Sequence, residues 1–437
     1  MAKRNAKVEK TANVKTDAIV VSETKAVETV NADFRVVSQS SAPYKVDLNR
    51  GTSSGIISQQ WFSRPQDERF TSMDSIQKFL LDRTARTHSL RIDSKDMDLL
   101  IPENINTLSD ANLLGVTFPG SDGASYFTNW AFGQMCQKFS IPANFMHRLP
   151  SPLAADCITY ALKHSADADE LGVGFTKSKD GVNTLRRVSG PNYGVILDSE
   201  VAAVFSVLEG MGYKVPGFIN WADGTYDPTI EVTKENTTLF ASDRDVFLFL
   251  VDDTRPIEIG KLPDGSPDYV FRGILGRNSE VGCGKNVFSV YMYRGSCQNR
   301  CMWGIENEEH FSIKHSRRAP KKFAEEARPA ILELANNPGS IANFTDCIVA
   351  AKEKVIANGE KEALAFLKTR GFTGKFARES FKAWRETEQK EEDEFPASVW
   401  DFSNAVTAAA RNNPYQNERT DLEIAGTKIL STVRNRK

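Results

Sequence analysis

Apolar residues recur with a period of two between positions 172 and 294, and this alternation constrains the fold more than any other feature of the chain. Successive side chains of a strand point to opposite faces, so the alternation predicts β-structure. A helix is predicted at 199–211, between the strands. We therefore expect an α+β fold with a mixed, largely antiparallel central sheet and flanking helices, not repeated βαβ units. Strands are predicted at residues 184–188, 238–240, 245–251, 269–272 and 286–293.

The pattern changes at both ends of this region. Residues 1–58 are polar and basic with little apolar periodicity, which predicts a disordered arm. An α+β core domain is predicted for 59–319 and a helical C-terminal region for 320–437, with an acidic linker near 386–394. Further helices are expected at 128–139, at 153–163 and after a cap formed by Asp74 and Gln77, with Cys136 as a core residue.

The composition is that of an ordinary globular protein. The 437 residues are 40% hydrophobic and 26% charged, and the net charge of −2 excludes a globally basic nucleic-acid binder, so only local basic patches can act. Six scattered cysteines favour a reducing compartment. The sequence has neither an apolar stretch of membrane-span length nor an apolar secretion signal near Met1. We expect a cytoplasmic protein of the host cell without a membrane partner, and a homo-oligomer stays open.

A glycine-rich segment precedes the last predicted strand. Gly282, Gly284 and Lys285 suggest a phosphate-binding P-loop, but Ser279 stands where that motif has glycine and Asn286 follows the lysine. A strand, not a helix, follows. The segment is better explained as a glycine turn before a strand, in which a few residues shape the loop. These loop-shaping residues are Gly276, Asn278, Ser279, Glu280 and Gly282.

Basic residues interleaved with aromatic residues surround this turn. Tyr291 and Tyr293 share one face of the predicted strand, where they could stack on bases. The predicted phosphate contacts are Arg272, Arg277, Lys285, Arg294, Arg300, Lys314, Arg317, Arg318, Lys321 and Lys322. In the structural alternative, which we weigh equally, the tyrosines cover the core and the basic run begins a helix.

Two alternatives involve metals. Cys297, Cys301, His310 and His315 supply the ligand types of a tetrahedral zinc site, although the gap between the second cysteine and the first histidine is shorter than in a usual zinc finger. Otherwise these cysteines are buried and His315 bonds to the backbone, and no cofactor is expected.

Paired acidic residues could bind a divalent ion in a nuclease. The pairs are Asp243 with Asp245 and Asp252 with Asp253.

The sequence around the glycine turn also resembles the motifs of a known protein family. The run 273–282, followed by Cys297, Asn299 and His315, resembles the signature of the phage/plasmid-like protein family called domain of unknown function 932. Arg187, Tyr193, Asp243, Trp400, Asn404 and Thr407 agree with it. The resemblance implies a mobile-element context and little about chemistry. Arg300 departs from the family pattern, which has glycine there.

These observations together predict a non-catalytic nucleic-acid-binding protein of a phage or plasmid. Its predicted partner is single-stranded DNA, which it would bind or anneal in replication or recombination. An enzyme is the competing class, as a metal-dependent nuclease or hydrolase. A third alternative is a protein-binding module that acts against host defence.

Overall fold

The computed structural model describes most of the chain from residue 65 onward. The described ranges are 65–101, 114–164, 170–177, 183–216, 231–261, 265, 267–294, 300–301, 310–336, 339–413 and 416–434. The arm predicted for residues 1–58 lies outside them. Within them, the predicted α+β fold with flanking helices and a helical C-terminal region is confirmed.

The strands form two sheets instead of the single predicted one. They are β1 (Arg69–Phe70), β2 (Thr87–Asp93), β3 (Asp98–Leu100), β4 (Gly115–Thr117), β5 (Ser125–Phe127), β6 (Glu170–Lys177), β7 (Asn183–Ser189), β8 (Tyr213–Lys214), β9 (Leu239–Ala241), β10 (Val246–Lys261), β11 (Pro267–Asn278), β12 (Asn286–Arg294), β13 (Arg300–Cys301) and β14 (His310–Ile313).

The smaller sheet has the strand order β2-β6-β7-β5-β4-β3 and the larger one β1-β9-β10-β11-β12-β13, where β14 also pairs with β12 and β8 with β10. Only the β5–β7 pair is parallel among the described strand pairs. The largely antiparallel character follows from the short connections between consecutive strands.

Helices cover both sheets. They are α1 (Met73–Arg86), α2 (Asn129–Lys138), α3 (Ala143–Met146), α4 (Ser151–His164), α5 (Asp198–Gly210), α6 (Ala319–Lys322), α7 (Arg328–Asn336), α8 (Gly339–Glu353), α9 (Glu360–Thr369), α10 (Gly374–Glu388), α11 (Val399–Arg411) and α12 (Gln416–Arg434). Ser72, not Asp74, caps α1, because its side chain accepts a hydrogen bond from the Ser75 amide. The predicted helices at 128–139, 153–163 and 199–211 correspond to α2, α4 and α5.

Each sheet has its own hydrophobic core. Phe132 of α2 and Ile158 of α4 pack on the smaller sheet, where Cys136 is buried as predicted. Leu80 of α1 and Phe205 of α5 pack on one face of the larger sheet. Each fully buried side chain of this kind stabilises the fold by about 1.5–3 kcal/mol. Burial raises the pKa of the Cys136 thiol to about 12, so it stays protonated at neutral pH.

The C-terminal helices attach to the larger sheet through a separate core. Val270 of β11 and Met292 of β12 pack with residues of α8 to α12, including Phe402. The acidic run 386–394 begins in the last turn of α10 and continues in the turn after it. In the described part of the chain, no helix combines the length and the apolarity needed to cross a bilayer.

Candidate nucleic-acid interface

A tight loop of residues 279–285, called here the glycine loop, joins β11 to β12. The Ser279 hydroxyl accepts hydrogen bonds from the amides of Val281 (3.3 Å) and Cys283 (2.9 Å) and donates one to the Arg244 carbonyl (2.6 Å). Gly282 has φ +84°, a left-handed conformation that favours glycine. Local hydrogen bonds therefore fix the course of the loop.

Glu280 points from the glycine loop into the protein and joins the two sheets. Its Oε2 accepts a hydrogen bond from Arg186 Nη1 of β7 at 3.0 Å, and its Oε1 accepts one from the amide of Asp198 at 2.9 Å. Asn278 donates to the carboxylate of Asp198 at 2.7 Å and to the Ile196 carbonyl at 2.8 Å. The ends of β11 and α5 are thereby held against the smaller sheet.

Arg83 of α1 completes this buried ion network, which consists of Arg83, Arg186, Asp198 and Glu280. Its Nη2 lies 2.6 Å from Asp198 Oδ2 and 3.8 Å from Glu280 Oε2. The four side chains are at most 8% exposed. Two basic and two acidic side chains therefore face one another in the interior, where a buried charge is tolerated only beside a partner.

The pKa values of the two carboxylates in the network shift in opposite directions. Burial alone would raise the pKa of Glu280, but Arg83 and Arg186 together hold it below its ordinary value. Burial, and then the charge of Glu280, raise the pKa of Asp198 against the attraction of Arg83. Glu280 therefore carries its charge at neutral pH and is the anchor of the two arginines.

Rings and a guanidinium stack beside the glycine loop. Tyr193 donates its hydroxyl proton to the Ser279 carbonyl at 2.8 Å, and its ring stacks on His315 with centroids 4.9 Å apart. The Arg187 guanidinium lies 5.1 Å from the same ring. His315 Nδ1 donates to the Gly194 carbonyl at 3.0 Å, and burial lowers its pKa. His315 is therefore neutral at pH 7 and supports the loop instead of acting as a cation.

Six exposed cations lie in the segments that adjoin the glycine loop and His315 along the chain, and we call them the basic ledge. Lys285 directly precedes β12 and Lys314 directly follows β14, and the register Asn286 to Ile313 places the two lysines side by side. The other four members follow in the turn and in α6. The complete ledge consists of Lys285, Lys314, Arg317, Arg318, Lys321 and Lys322.

The turn that carries the ledge is held tightly. The Ala319 amide donates to the Ser316 carbonyl at 2.8 Å, and the Lys322 amide donates to the Arg318 carbonyl at 2.9 Å. A Cβ on Gly194 would lie 2.0 Å from the Ser316 oxygen, so the chain at 194 packs directly on this turn. Between 281 and 322 the sequence has acidic residues only at 306, 308 and 309, which are outside the described residues. The ledge therefore presents positive charge from a fixed backbone.

Both tyrosines predicted to stack on bases are buried, so the prediction that they contact nucleic acid is wrong. Tyr291 and Tyr293 are 0% exposed, and the Tyr291 hydroxyl donates to the Leu250 carbonyl at 3.2 Å. The reason is the position of β12 inside the larger sheet, where packing covers both faces of the strand. Alternation identifies the two faces of a strand but not whether solvent reaches either of them.

Two of the predicted phosphate contacts are buried as well. Arg272 is 1% exposed and donates to the Leu334 carbonyl at 2.5 Å, so it attaches α7 to the sheet. Arg294 lies 2.7 Å from Asp268, pairs with Glu388 and lies 5.9 Å from the Trp400 ring centre. Buried arginines of this kind join layers of the fold and leave no guanidinium for a ligand.

The remaining predicted contacts lie differently. Arg277 is partly buried on β11. Arg300 lies on β13, and its side chain is outside the described part of the structure. Gly276 lets the Phe205 ring pack directly on β11, because a Cβ at this position would lie 2.4 Å from the ring.

Most of the predicted zinc ligands fall outside the described atoms. Cys297 is outside the described residues, and the side chains of Cys301 and His310 are also outside them. His315 has the backbone hydrogen bond given above. Among the side chains that are described, no group of three or more His, Cys, Asp or Glu residues could hold a metal ion. The zinc site stays a prediction.

The acidic pairs predicted as metal ligands stay a prediction, and their described members have the following surroundings. Asp252 is buried and accepts a hydrogen bond from Arg255 at 2.6 Å, whereas the side chain of Asp253 is outside the description. Asp245 accepts one from Ser242 at 2.7 Å. Both carboxylate oxygens of Asp243 are buried without a hydrogen-bond partner, and burial raises its pKa to about 6.

Sequence reasoning missed one side chain at this interface. Trp130, in the first turn of α2, donates its Nε1 proton to the Val281 carbonyl at 3.0 Å and is partly exposed. The sequence pattern places Trp130 within the helix predicted at 128–139 and indicates nothing more about it. No local pattern marks the contact, because 151 positions separate the two residues.

Comparison with family models, curated proteins and solved structures finds no match for the chain. The resemblance to the phage/plasmid-like family therefore stays a prediction. Function has to be inferred from the geometry of the chain itself.

Proposed function

We propose that the chain binds nucleic acid by holding backbone phosphates on the basic ledge. The observation that carries this proposal is the group of six exposed cations that begins at the end of the glycine loop, of which Lys321 also lies 3.8 Å from Glu325. Lysine and arginine side chains neutralise phosphates and release counterions, which drives binding without base recognition. The net charge of −2 makes this local concentration the main attraction for a polyanion.

The support beneath the ledge favours binding. Val281 receives hydrogen bonds from Trp130 and from Gln134, the latter at 2.7 Å, and Glu280 anchors the same loop in the buried network. Lys285 therefore projects from a backbone that is ordered before a ligand arrives. A preorganised site loses less entropy on binding than a flexible tail with the same charge.

The proposed role is non-catalytic. In the phage or plasmid context that the family resemblance implies, binding of this kind serves replication or recombination, including the annealing of strands. Phosphate contacts alone do not distinguish single strands from duplexes. The ledge is thus proposed as the general binding surface.

Charge reversal on the ledge tests the proposal. The variant Lys314→Glu/Arg317→Glu/Arg318→Glu is compared with wild type in fluorescence anisotropy with a labelled 30-nucleotide single strand and a 30-base-pair duplex. We expect the affinity of this variant to fall at least about tenfold, with the salt slope reduced by about 2 to 3 for three lost contacts.

A matched control variant makes the same change of net charge elsewhere. Lys361, Lys375 and Lys382 are exposed on α9 and α10, and their replacement by glutamate should leave the affinity within about twofold, since they are outside the ledge. An equal loss in both triple variants would show that only net charge matters. Unchanged binding by the ledge variant would also reject the proposal.

A further inference from the structure

Three partly exposed rings border the glycine loop: Trp130, Tyr193 and His315. Two of them are already engaged with each other, because Tyr193 and His315 stack at 4.9 Å and 18°. The Arg187 guanidinium also lies against Tyr193. Trp130 is the ring without another aromatic partner among the described contacts, and it adjoins the loop that ends at Lys285.

Protein groups hold the Trp130 ring in one orientation. Its Nε1 donates to the Val281 carbonyl at 3.0 Å, and the Arg244 guanidinium lies 5.3 Å from the ring centre. Gln134, one helical turn further along α2, donates to the same carbonyl at 2.7 Å. A ring fixed in this way loses little freedom when a flat ligand stacks on it.

We infer that Trp130 is a stacking platform for an unpaired base of the nucleic acid held on the basic ledge. This inference rests on the proposed function, because the ledge brings the nucleic acid to the ring. It adds the substrate class, single-stranded nucleic acid. Bases in a duplex are stacked on one another and do not offer their faces, whereas those of a single strand can stack on an indole.

The role also replaces the one predicted for Tyr291 and Tyr293. Those rings are 0% exposed inside the larger sheet, whereas Trp130 reaches the surface beside the loop. Alanine substitution of a stacking residue lowers affinity about 5- to 150-fold per base. The single-strand preference should therefore depend on Trp130.

An abasic oligonucleotide separates stacking from phosphate binding. The probes are a thymidine 30-mer and a 30-mer of abasic deoxyribose phosphates, which carry the same backbone charge. We expect the wild-type protein to bind the thymidine 30-mer about 5- to 150-fold more tightly than the abasic 30-mer, and this ratio of affinities measures base stacking. Trp130→Ala should bring the ratio of the two affinities close to 1, whereas the loss that follows from the missing hydrogen bond to Val281 should be the same for both probes. Trp130→Phe, which keeps a ring, should retain most of the ratio.

A control variant, together with the ratio of the two affinities, shows whether Trp130 stacks on a base or only holds the glycine loop in place. Tyr160 is 66% exposed on α4, outside the loop contacts, so Tyr160→Ala should not alter the ratio. Equal losses for both probes in Trp130→Ala would show that the indole only supports the loop, which overturns the inference.

The two proposals can fail separately. Equal wild-type affinity for both probes, together with a loss in the ledge triple variant, would reject base stacking and keep phosphate binding. Absence of binding to either probe at low salt would reject both.

Discussion

The buried ion network should determine how firmly the two sheets are joined, and Glu280→Gln tests this. Glutamine keeps the size of the side chain but removes the charge that faces Arg186 at 3.0 Å and Arg83 at 3.8 Å. Two arginines, 5% and 7% exposed, would then share the single carboxylate of Asp198. Removing one member of a buried ion pair costs about 3–5 kcal/mol. Since glutamine still offers one acceptor oxygen, we expect a loss of about 3 kcal/mol.

Urea denaturation monitored by circular dichroism measures this loss as a change in the free energy of unfolding. Glu386→Gln is the matched control, because Glu386 forms an exposed pair with Lys382 at 3.7 Å. Such surface pairs contribute about 0–1 kcal/mol. A loss below about 1 kcal/mol for Glu280→Gln would refute the assignment of Glu280 as the anchor of the network.

The interaction free energy between Arg186 and Glu280 can be measured separately. Arg186→Met should reduce the cost of Glu280→Gln, because the charge that Glu280 compensates is then partly removed. We expect an interaction free energy of about 1–3 kcal/mol in this double-mutant cycle. Additive losses would mean that the two side chains act independently despite their contact.

Three other substitutions test separate parts of the structure. The pKa of Asp243 is raised to about 6, so its contribution to stability is full below about pH 4 and is lost as the pH rises through 6. Asp243→Asn should accordingly stabilise the protein by about 1–3 kcal/mol at pH 7.5 and not at pH 4, as measured by urea denaturation. Gly276→Ala places a Cβ 2.4 Å from Phe205 and should lower the melting temperature through a loss of about 1–3 kcal/mol, whereas Gly284→Ala, with open space around it, should not. Tyr291→Phe removes the hydrogen bond to the Leu250 carbonyl and should lower the free energy of unfolding by about 1 kcal/mol in urea denaturation. Its affinity for DNA should be unchanged; a changed affinity would contradict the burial of this ring.

The sequence predicted the long strands and several helices because their patterns are local. The alternation at 245–251, 269–272 and 286–293 corresponds to β10, β11 and β12, and Cys136 is buried on α2 as expected. The smaller sheet was recognised only in part. β3, β4 and β5 have three residues each, too few to show a period.

The candidate site was predictable only where it depends on neighbours in sequence. Exposed lysines and arginines of the turn at 314–322 could be identified from the charge run itself. Arg186 and Glu280, however, are 94 positions apart, and their pairing depends on how the two sheets pack. The burial of Tyr291 depends in the same way on layers that cover β12 from both sides. Tertiary packing, which local patterns do not encode, therefore decides which aromatic and basic groups reach solvent.

Salt dependence tests the central claim, that phosphate binding occurs on the six-cation ledge, most directly. The dissociation constant of the wild-type protein for a thymidine 30-mer is measured between 50 and 400 mM sodium chloride. Six contacts to a single strand predict a slope of log affinity against log salt of about −4, or about 300-fold weaker binding at 200 than at 50 mM. A slope shallower than about −1 would contradict the account, because the cations would then not be neutralising phosphates.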